Sequence, residues 1–264
     1  MSSIGDERGS LAVLGTSLQV TTYSKFTAEL QRLVRASQVV TVDFSNTQIV
    51  TLRRHDPGFR EITSRVEYFI PDGMPLIWCL NFQGAGLHDR VYGPTFMRHC
   101  ILNSPAPYTH YFLGGSDECV GKLVSFFQSN NPLVKIIGTR NGYFDASQEQ
   151  SIIDEINRLS PDFIWIGLGT PKQQSWIHRC RDRINRGVLL AVGFAFDVNA
   201  GTKPDAPLLM QRLGLTWVFR IISEPRRLGL RYLKFNFLFL YYLLRDGARG
   251  RAWTPGFSQD TQGS

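Results

Sequence analysis

Short apolar runs alternate with stretches of helical periodicity between residues 39 and 202. The run VVTVDF at residues 39–44 is apolar almost throughout, as expected for a strand that is covered on both faces of a parallel sheet. Ser or Pro residues that suit a helix start precede several of the helical stretches. This alternation predicts an α/β fold with a mostly parallel, Rossmann-like sheet and helices on both faces.

The predicted elements divide the chain into three parts. Strands are predicted at residues 39–44, 68–70, 111–113, 134–137, 163–166 and 188–192, and helices at residues 24–36, 57–65, 74–82, 94–102, 116–128, 147–159 and 171–184. Beyond Lys203 the pattern is helical, with a break at Glu224-Pro225, and no further strand is evident. We expect an α/β core at residues 1–204, a basic amphipathic helical appendage at 205–250 and a disordered tail at 251–264.

The excess positive charge lies almost entirely in the predicted appendage. The chain has 29 Lys and Arg, 22 Asp and Glu, and a net charge of +7. Ten of these basic residues and three of the acidic ones lie between Lys203 and Arg251, so the rest of the chain is balanced. A polyanionic partner, such as a membrane surface, a nucleic acid or a phosphate, is therefore expected to bind there.

The predicted helix near the C-terminus has the pattern of a membrane-surface helix. Its apolar run at residues 235–244 is too short to span a bilayer. Arg227, Arg231, Lys234 and Arg245 form a basic stripe beside a large apolar face, which is typical of a helix in the interface of an anionic membrane. The alternative is a helix that packs on the core or on another subunit. No secretory signal is visible, so we expect a protein on the cytosolic side.

Several classes of site lack their motifs. The four cysteines lie far apart without a C-x-x-C pair, which argues against a zinc ribbon or a disulfide framework. The five histidines show no ligand spacing, and D-x-D does not occur. Neither G-x-G-x-x-G nor a P-loop motif is complete. We expect no bound metal and no cofactor.

Glycines and carboxylates follow the predicted strands, at the edge where parallel sheets bind ligands. The Gly-Gly-Ser turn at 114–116 and the Gly-Leu-Gly turn at 167–169 each precede a helix, whose N-terminal N–H groups and dipole attract phosphate. Asp72 lies in a Pro-Asp-Gly turn between apolar segments. Partial burial would raise the pKa of Asp72 and make it a better general base. The alternative is a turn aspartate that caps the next helix.

Nine short motifs occur in order over most of the chain. They are V-T-V-D at 40–43, P-D-G at 71–73, R-V-Y-G at 90–93, F-L-G-G at 112–115, N-G-Y-F at 141–144, G-L-G-T-P-K-Q-Q at 167–174, G-F-A-F-D-V-N-A-G at 193–201, A-P at 206–207 and W-V-F-R-I-I-S-E-P-R-R at 217–227. Together they resemble the WecG/TagA/CpsF family of bacterial glycosyltransferases, glycosyltransferase family 26.

The resemblance implies an inverting, metal-independent transfer of a sugar from a UDP-sugar to a sugar linked to polyprenyl pyrophosphate, in cell-surface polysaccharide synthesis. It implies that Asp72 is the general base. The residues expected to bind substrate are Thr41, Asp43, Arg90, Gly114, Gly115, Tyr143, Gly169, Gln173 and Asp197. Arg220, Arg227, Arg231 and Lys234 are expected to contact the membrane or the acceptor. The protein would act at the cytoplasmic face of the bacterial inner membrane as a peripheral protein, with self-association left open.

The chain departs from the family pattern at four positions. Asp43, Thr95, Gln174 and Asp205 stand where the family usually has Asn, Asp, Glu and Arg. Because ionised Asp only accepts hydrogen bonds whereas Asn also donates them, the donor sugar stays open among N-acetylmannosamine, its uronic acid and glucose.

Two other classes of protein compete with the glycosyltransferase. A nicotinamide- or flavin-binding oxidoreductase would use the glycine turns, although the full glycine fingerprint is absent. A nucleic-acid-binding protein would use the basic segment. Its aromatic residues form an apolar run rather than spaced stacking platforms, so nucleic acid is not an expected partner.

Overall fold

The structure is a computed structural model that describes residues 9–103 and 108–255. Its strands are β1 (Ser10–Val13), β2 (Thr16–Gln19), β3 (Val39–Ser45), β4 (Tyr68–Pro71), β5 (Thr109–Gly114), β6 (Lys135–Arg140), β7 (Phe163–Gly167) and β8 (Gly187–Ala191). Its helices are α1 (Tyr23–Arg35), α2 (Thr47–His55), α3 (Pro57–Ile62), α4 (Met74–Phe82), α5 (Gly93–Leu102), α6 (Asp117–Asn130), α7 (Glu149–Leu159), α8 (Lys172–Cys180), α9 (Ala195–Asn199), α10 (Leu208–Arg212), α11 (Thr216–Ser223) and α12 (Pro225–Gly247).

The strands form one sheet in the order β1-β2-β4-β3-β8-β7-β5-β6. β1 and β2 form an antiparallel hairpin, and the remaining pairs within the described residues are parallel. β3 lies inside the sheet between β4 and β8. The predicted α/β fold with a mostly parallel sheet is confirmed.

Two apolar layers, one on each face of the sheet, account for the apolar strand runs. In β7, Phe163 and Trp165 belong to the layer that α1, α5 and α6 cover, whereas Ile164 and Ile166 belong to the layer that α7 and α8 cover. Successive strand residues point to opposite faces, so such a run is buried only if helices cover both. As a consequence α6, which follows β5, and α8, which follows β7, lie on opposite faces.

Two features were missed by the sequence analysis. The hairpin of β1 and β2 turns at Leu14 and Gly15, both with positive φ angles of 48° and 79°. A two-residue turn of this kind matches the strand twist, but Leu is an uncommon residue for it, so the pattern signalled no turn. α2 begins after Asn46, whose side chain accepts hydrogen bonds from the N–H groups of Gln48 and Ile49.

The C-terminal helix α12 packs along α2. Arg54 pairs with Asp246 at 2.6 Å, and the Tyr242 hydroxyl lies 2.6 Å from His55 Nδ1. Phe239 and Tyr242 join an apolar cluster with residues of α4 and the β1–β2 hairpin. One face of α12 therefore packs on the core, as in the alternative to a membrane-surface helix.

The segment that follows α12 corrects the prediction of a disordered tail from residue 251. Leu14 N donates to the Ala252 carbonyl at 2.8 Å, Ala252 is fully buried, and the Trp253 ring lies 5.4 Å from that of Phe82. Burial of these apolar groups holds residues 251–255 on the molecule. Residues 256–264 of the predicted tail lie outside the described residues, and the domain boundary at 204/205 stays a prediction. No helix in the described part of the chain is long and apolar enough to cross a membrane.

Candidate active site

A cavity of about 1210 Å³ opens along the carboxyl ends of β3, β4, β5, β7 and β8. It reaches the turn between β5 and α6 and the turn between β7 and α8. Because these two helices leave to opposite faces of the sheet, a crevice forms where α/β proteins bind ligands. Sites for one ligand usually measure roughly 300–1,000 Å³, so this cavity has room for two substrates.

Asp72 lines the cavity on the turn after β4. Its N–H donates to the Ser45 carbonyl at 2.8 Å, and its Oδ1 accepts from Gly93 N at 3.1 Å. The N-cap of α4 is Gly73, which makes no side-chain capping bond. Asp72 is therefore held against the start of α5 and does not cap α4, contrary to the structural alternative.

The surroundings of Asp72 favour a proton acceptor that works at neutral pH. Burial raises the pKa of Asp72 to about 7, although the positive charges of Arg90 and Arg220 and the Gly93 N–H all act to lower it. Near that pH the carboxyl group is partly ionised and partly protonated. A carboxylate with a pKa close to the working pH is a much better general base than an ordinary aspartate.

Arg90 lies beside Asp72 and is only 5% exposed. Its guanidinium stacks on the Tyr92 ring at 4.1 Å and donates to the Asp72 carbonyl at 3.3 Å and to Thr216 Oγ1 at 3.2 Å. A further bond reaches Gln211 Oε1 at 3.4 Å. None of these three acceptors is charged, so the charge of Arg90 acts on the Asp72 carboxyl group and on any anion that enters the cavity.

Three of the four basic residues predicted to contact the membrane or the acceptor, Arg220, Arg227 and Arg231, line the same cavity from the C-terminal helices. The Arg220 guanidinium lies 3.8 Å from the centre of the Phe194 ring. The Nε atoms of Arg220 and Arg231 are buried and have no hydrogen-bond partner among the described residues. Arg227 pairs with Glu224. Lys234 is exposed and does not line the cavity, so the structure does not bring it to this site.

The two glycine turns meet in the wall of the cavity, where Gly115 N donates to the Gly167 carbonyl at 3.3 Å. Five of the residues predicted to bind substrate line the cavity here: Gly115, Tyr143, Gly169, Gln173 and Asp197. Gly114 lies beneath the surface with a φ of 144°, and a Cβ there would approach the Gly167 backbone to 2.5 Å. Its role is thus to let the ends of β5 and β7 come close, and it does not line the cavity.

Tyr143 and Asp197 differ in how far they are engaged within the protein. Tyr143 is 80% exposed, so its ring is free to stack on a ligand. Asp197 accepts from Thr202 Oγ1 at 3.0 Å and lies 3.7 Å from Lys203 Nζ. The Asp197 carboxylate therefore also holds the loop that follows α9.

Thr41 and Asp43 do not line the cavity, which corrects their predicted contact with substrate. Both lie inside β3 and are at most 1% exposed. Thr41 donates to Glu67 Oε2 at 2.5 Å, and Asp43 accepts from Ser45 Oγ at 2.5 Å and from Gln174 Nε2 at 2.7 Å. Burial raises the pKa of Asp43. The sequence placed them near a strand end, but their side chains are enclosed by neighbouring elements.

Several cavity residues were missed by the sequence analysis. Trp78 and Phe82 on α4 and Trp253 form an apolar end of the cavity, and Lys172 lies near the glycine turns. α4 has apolar residues on all sides, which suggested a buried helix, yet Trp78 is 53% and Phe82 78% exposed. Their position directly after the Pro-Asp-Gly turn was the available signal.

The sequence matches the model of the glycosyl transferase WecG/TagA/CpsF family over residues 11–252. The chain belongs to this family. It is a glycosyltransferase. Among its relatives are proteins of Staphylococcus aureus strains MRSA252 and MW2, each 25% identical over 202 residues, or 76% of this chain and 78% of the relative. Both are named N-acetylglucosaminyldiphosphoundecaprenol N-acetyl-beta-D-mannosaminyltransferase.

Two departures from the family pattern, Asp43 and Gln174, contact each other. The family's usual pair is Asn and Glu, and this chain has Asp and Gln joined by the bond from Gln174 Nε2 to Asp43 Oδ2. The exchange keeps one carboxylate and one carboxamide in the contact. Asp43 does not line the cavity, so any effect of this exchange on the donor sugar would have to pass through its neighbours.

Proposed function

We propose that this glycosyltransferase moves a sugar from a UDP-sugar to a sugar carried on polyprenyl pyrophosphate, in the synthesis of a bacterial surface polysaccharide. The relatives' name describes transfer to an N-acetylglucosaminyl group on diphosphoundecaprenol. The observation that carries the proposal is the position of Asp72, which lies in one cavity with two glycine turns and with Arg90, Arg220 and Arg231, arginines that form no salt bridge among the described residues.

In the proposed reaction Asp72 accepts the proton of the acceptor hydroxyl. As that proton leaves, the acceptor oxygen forms a bond to the anomeric carbon of the donor, and the bond from that carbon to the UDP oxygen breaks. One base on the side opposite the leaving group is what a single displacement with inversion requires. The ionised form of Asp72, which its pKa of about 7 makes accessible, is the reactive form.

The donor UDP is assigned to the end of the cavity that the glycine turns form. The N–H groups at the starts of α6 and α8 and their helix dipoles favour the diphosphate there. The exposed ring of Tyr143 offers a surface on which the uracil base can stack. Negative charge that develops on UDP as it leaves is stabilised by these N–H groups and by nearby arginines. The donor sugar stays open among N-acetylmannosamine, its uronic acid and glucose.

The acceptor is carried by a lipid, so the enzyme must work at a membrane. We place it at the cytoplasmic face of the bacterial inner membrane as a peripheral protein. Exposed apolar residues of α12, among them Leu233, Phe237 and Leu244, and exposed basic residues such as Lys234 support this placement.

The test is transfer by purified protein, with several UDP-sugars and a synthetic polyprenyl-pyrophosphate-linked sugar. The native protein should use one donor strongly, and Asp72→Asn should lower turnover about 10²–10⁴-fold without loss of folding. Asp154→Asn, an exposed aspartate on α7, is the matched control and should keep full turnover. Normal turnover by Asp72→Asn at equal folded protein would rule out Asp72 as the base.

A further inference from the structure

The cavity that holds Asp72 has a second arm, which is apolar. Its walls are the side chains of Trp78, Cys79 and Phe82 on α4, Leu240 and Leu243 on α12, and Trp253, and we call it the apolar arm. None of these side chains carries a charge. Trp253 lies against Phe82 with their ring centres 5.4 Å apart, so the segment after α12 forms the far wall.

Charge and polarity change in a fixed order along the cavity. Asp72 stands at the start of α4, and Phe82 ends that helix, roughly 12 Å away at the usual rise per residue. On the facing helix α12, Asn236 accepts from Thr47 Oγ1 beside the turn that carries Asp72, and Leu240 and Leu243 follow it along the apolar arm. From the base outward, the cavity offers the Asp72 carboxylate, then the guanidinium of Arg90, which donates to Thr216 Oγ1, and then the apolar arm, whose Trp78 ring lies close to Gly214.

We propose that the apolar arm binds the isoprenoid chain of the acceptor, next to its pyrophosphate; this inference rests on the proposed function. The order of chemical groups in the acceptor, sugar then pyrophosphate then hydrocarbon, is the order of the cavity. An isoprenoid bound here removes the exposed rings of Trp78 and Phe82 from water, which is favourable for chain and protein alike.

The apolar arm is distinct from the apolar surface that α12 turns to solvent. Leu230, Leu233, Phe237 and Leu244 are exposed and do not line the cavity. A bilayer can cover that surface, whereas the arm runs into the cavity and reaches Arg90 and the turn that carries Asp72. A chain held in the arm is drawn out of the bilayer toward Asp72, so the enzyme recognises the lipid directly.

The first experiment measures binding of farnesyl pyrophosphate and of methyl pyrophosphate in solution, without a membrane. The native protein should bind the farnesyl compound more tightly, and Phe82→Ala and Trp253→Ala should each weaken its binding about tenfold, the effect of losing one aromatic contact. Binding of methyl pyrophosphate should be unchanged in both variants. Leu230→Ala, which removes an exposed leucine outside the arm, is the control and should bind both compounds normally.

The second experiment measures KM of the native protein and the variants for two acceptors. Both acceptors carry the same sugar pyrophosphate, and one has a farnesyl group where the other has a methyl group. The variants should raise KM for the farnesyl acceptor alone, with unchanged KM for the donor. Equal losses on both acceptors, or unchanged farnesyl binding in both variants at normal melting temperature, would overturn the proposal. If the native protein binds farnesyl pyrophosphate but transfers sugar to neither acceptor, the proposed function fails and the lipid site stands.

Discussion

Asp72 and Asp43 are both enclosed carboxylates near the end of a strand, yet their contacts differ. Asp72 accepts one bond from a backbone N–H and faces the cavity. Asp43 accepts bonds from two side chains, Ser45 and Gln174, and is sealed beneath the surface. Burial raises the pKa of each. The difference in access to the cavity, rather than in acidity, separates a candidate base from a structural group.

The raised pKa of Asp72 leads to a prediction about pH. The base must be ionised, so kcat should rise with pH below about 7 and level off above it. In the unfolded chain the pKa of an aspartate is about 3.9. The folded state therefore favours the protonated form, and this contribution to stability is lost as pH rises from about 4 through about 7.

The variant Asp72→Asn distinguishes the effect of pH on turnover from its effect on stability. Asp72→Asn cannot ionise, so its free energy of unfolding relative to the native protein should be greater at pH 8 than at pH 5. Urea unfolding at both values measures this, alongside the pH profile of kcat. If kcat of the native protein did not change between pH 5 and 8, ionisation of Asp72 would not control the rate-limiting step.

The contact between Asp43 and Gln174 supports a second prediction. Gln174→Glu places a second carboxylate within 2.7 Å of the buried Asp43 and should destabilise the fold by about 3 kcal/mol. Adding Asp43→Asn restores one carboxylate and one carboxamide, so the double variant should recover most of that loss. Urea midpoints of the four proteins measure the coupling. Additive effects would show that the two side chains act independently.

Among the elements, α12 has two functional faces. Phe239, Tyr242 and Asp246 point inward to α2 and the second apolar cluster. Leu230, Leu233, Phe237 and Leu244 follow one another at intervals of three, four and seven positions, which places them on one side of the helix, and all are more than half exposed. Deleting the chain from Arg226 onward would remove inward-facing core residues as well as the outer stripe, so substitutions on the outer face are the sharper test.

We predict that α12 binds anionic membranes through this outer stripe. Replacing Leu233, Phe237 and Leu244 by Ser should abolish co-sedimentation with anionic liposomes at low salt, because exposed apolar groups insert between headgroups. Melting temperature and UDP binding should be unchanged. Leu133→Ser, at an exposed leucine that does not line the cavity, is the control and should still co-sediment. Native protein that stays in the supernatant would contradict the membrane role.

At the scale of the whole molecule, the C-terminal helices complete the site of the α/β core. Tyr92 donates to Asp205 at 2.6 Å, and Arg90 donates to Thr216 on α11. The cavity is therefore closed by residues from both parts of the chain. Its positive charge comes from arginines and helix N-termini, which can stabilise a departing diphosphate.

This arrangement predicts that transfer does not depend on a divalent metal. No group of three or more His, Cys, Asp and Glu residues in the described ranges 9–103 and 108–255 could hold a metal ion. Turnover should survive excess EDTA. Arg90→Ala should be more than roughly tenfold slower than the native enzyme, since it removes the guanidinium beside Asp72 that we expect to bind phosphate. Loss of activity in EDTA and recovery with Mg²⁺ or Mn²⁺ would contradict this.

The pattern of apolar residues was sufficient for most of the architecture. Strand β7 is a continuous apolar run and helix α1 has its buried residues at helical spacing, so the positions of both could be predicted from the local sequence. The turns that carry Asp72, Gly115 and Gly169 could be placed at strand ends for the same reason. The β1–β2 hairpin was not predicted, because its turn uses an uncommon residue pair and β2 pairs with β4, which is distant in sequence.

Contacts between distant segments required the folded chain. Nothing local shows that Gln174 bonds to Asp43, that Ala252 lies against Leu14, or that α12 is split between an inner and an outer face. A hydrogen bond forms only when packing brings its two partners within about 3 Å of each other. Which distant residues come that close is decided by the whole fold and not by the local sequence. The residue types therefore pointed to the chemistry, and packing selected which of them reach the cavity.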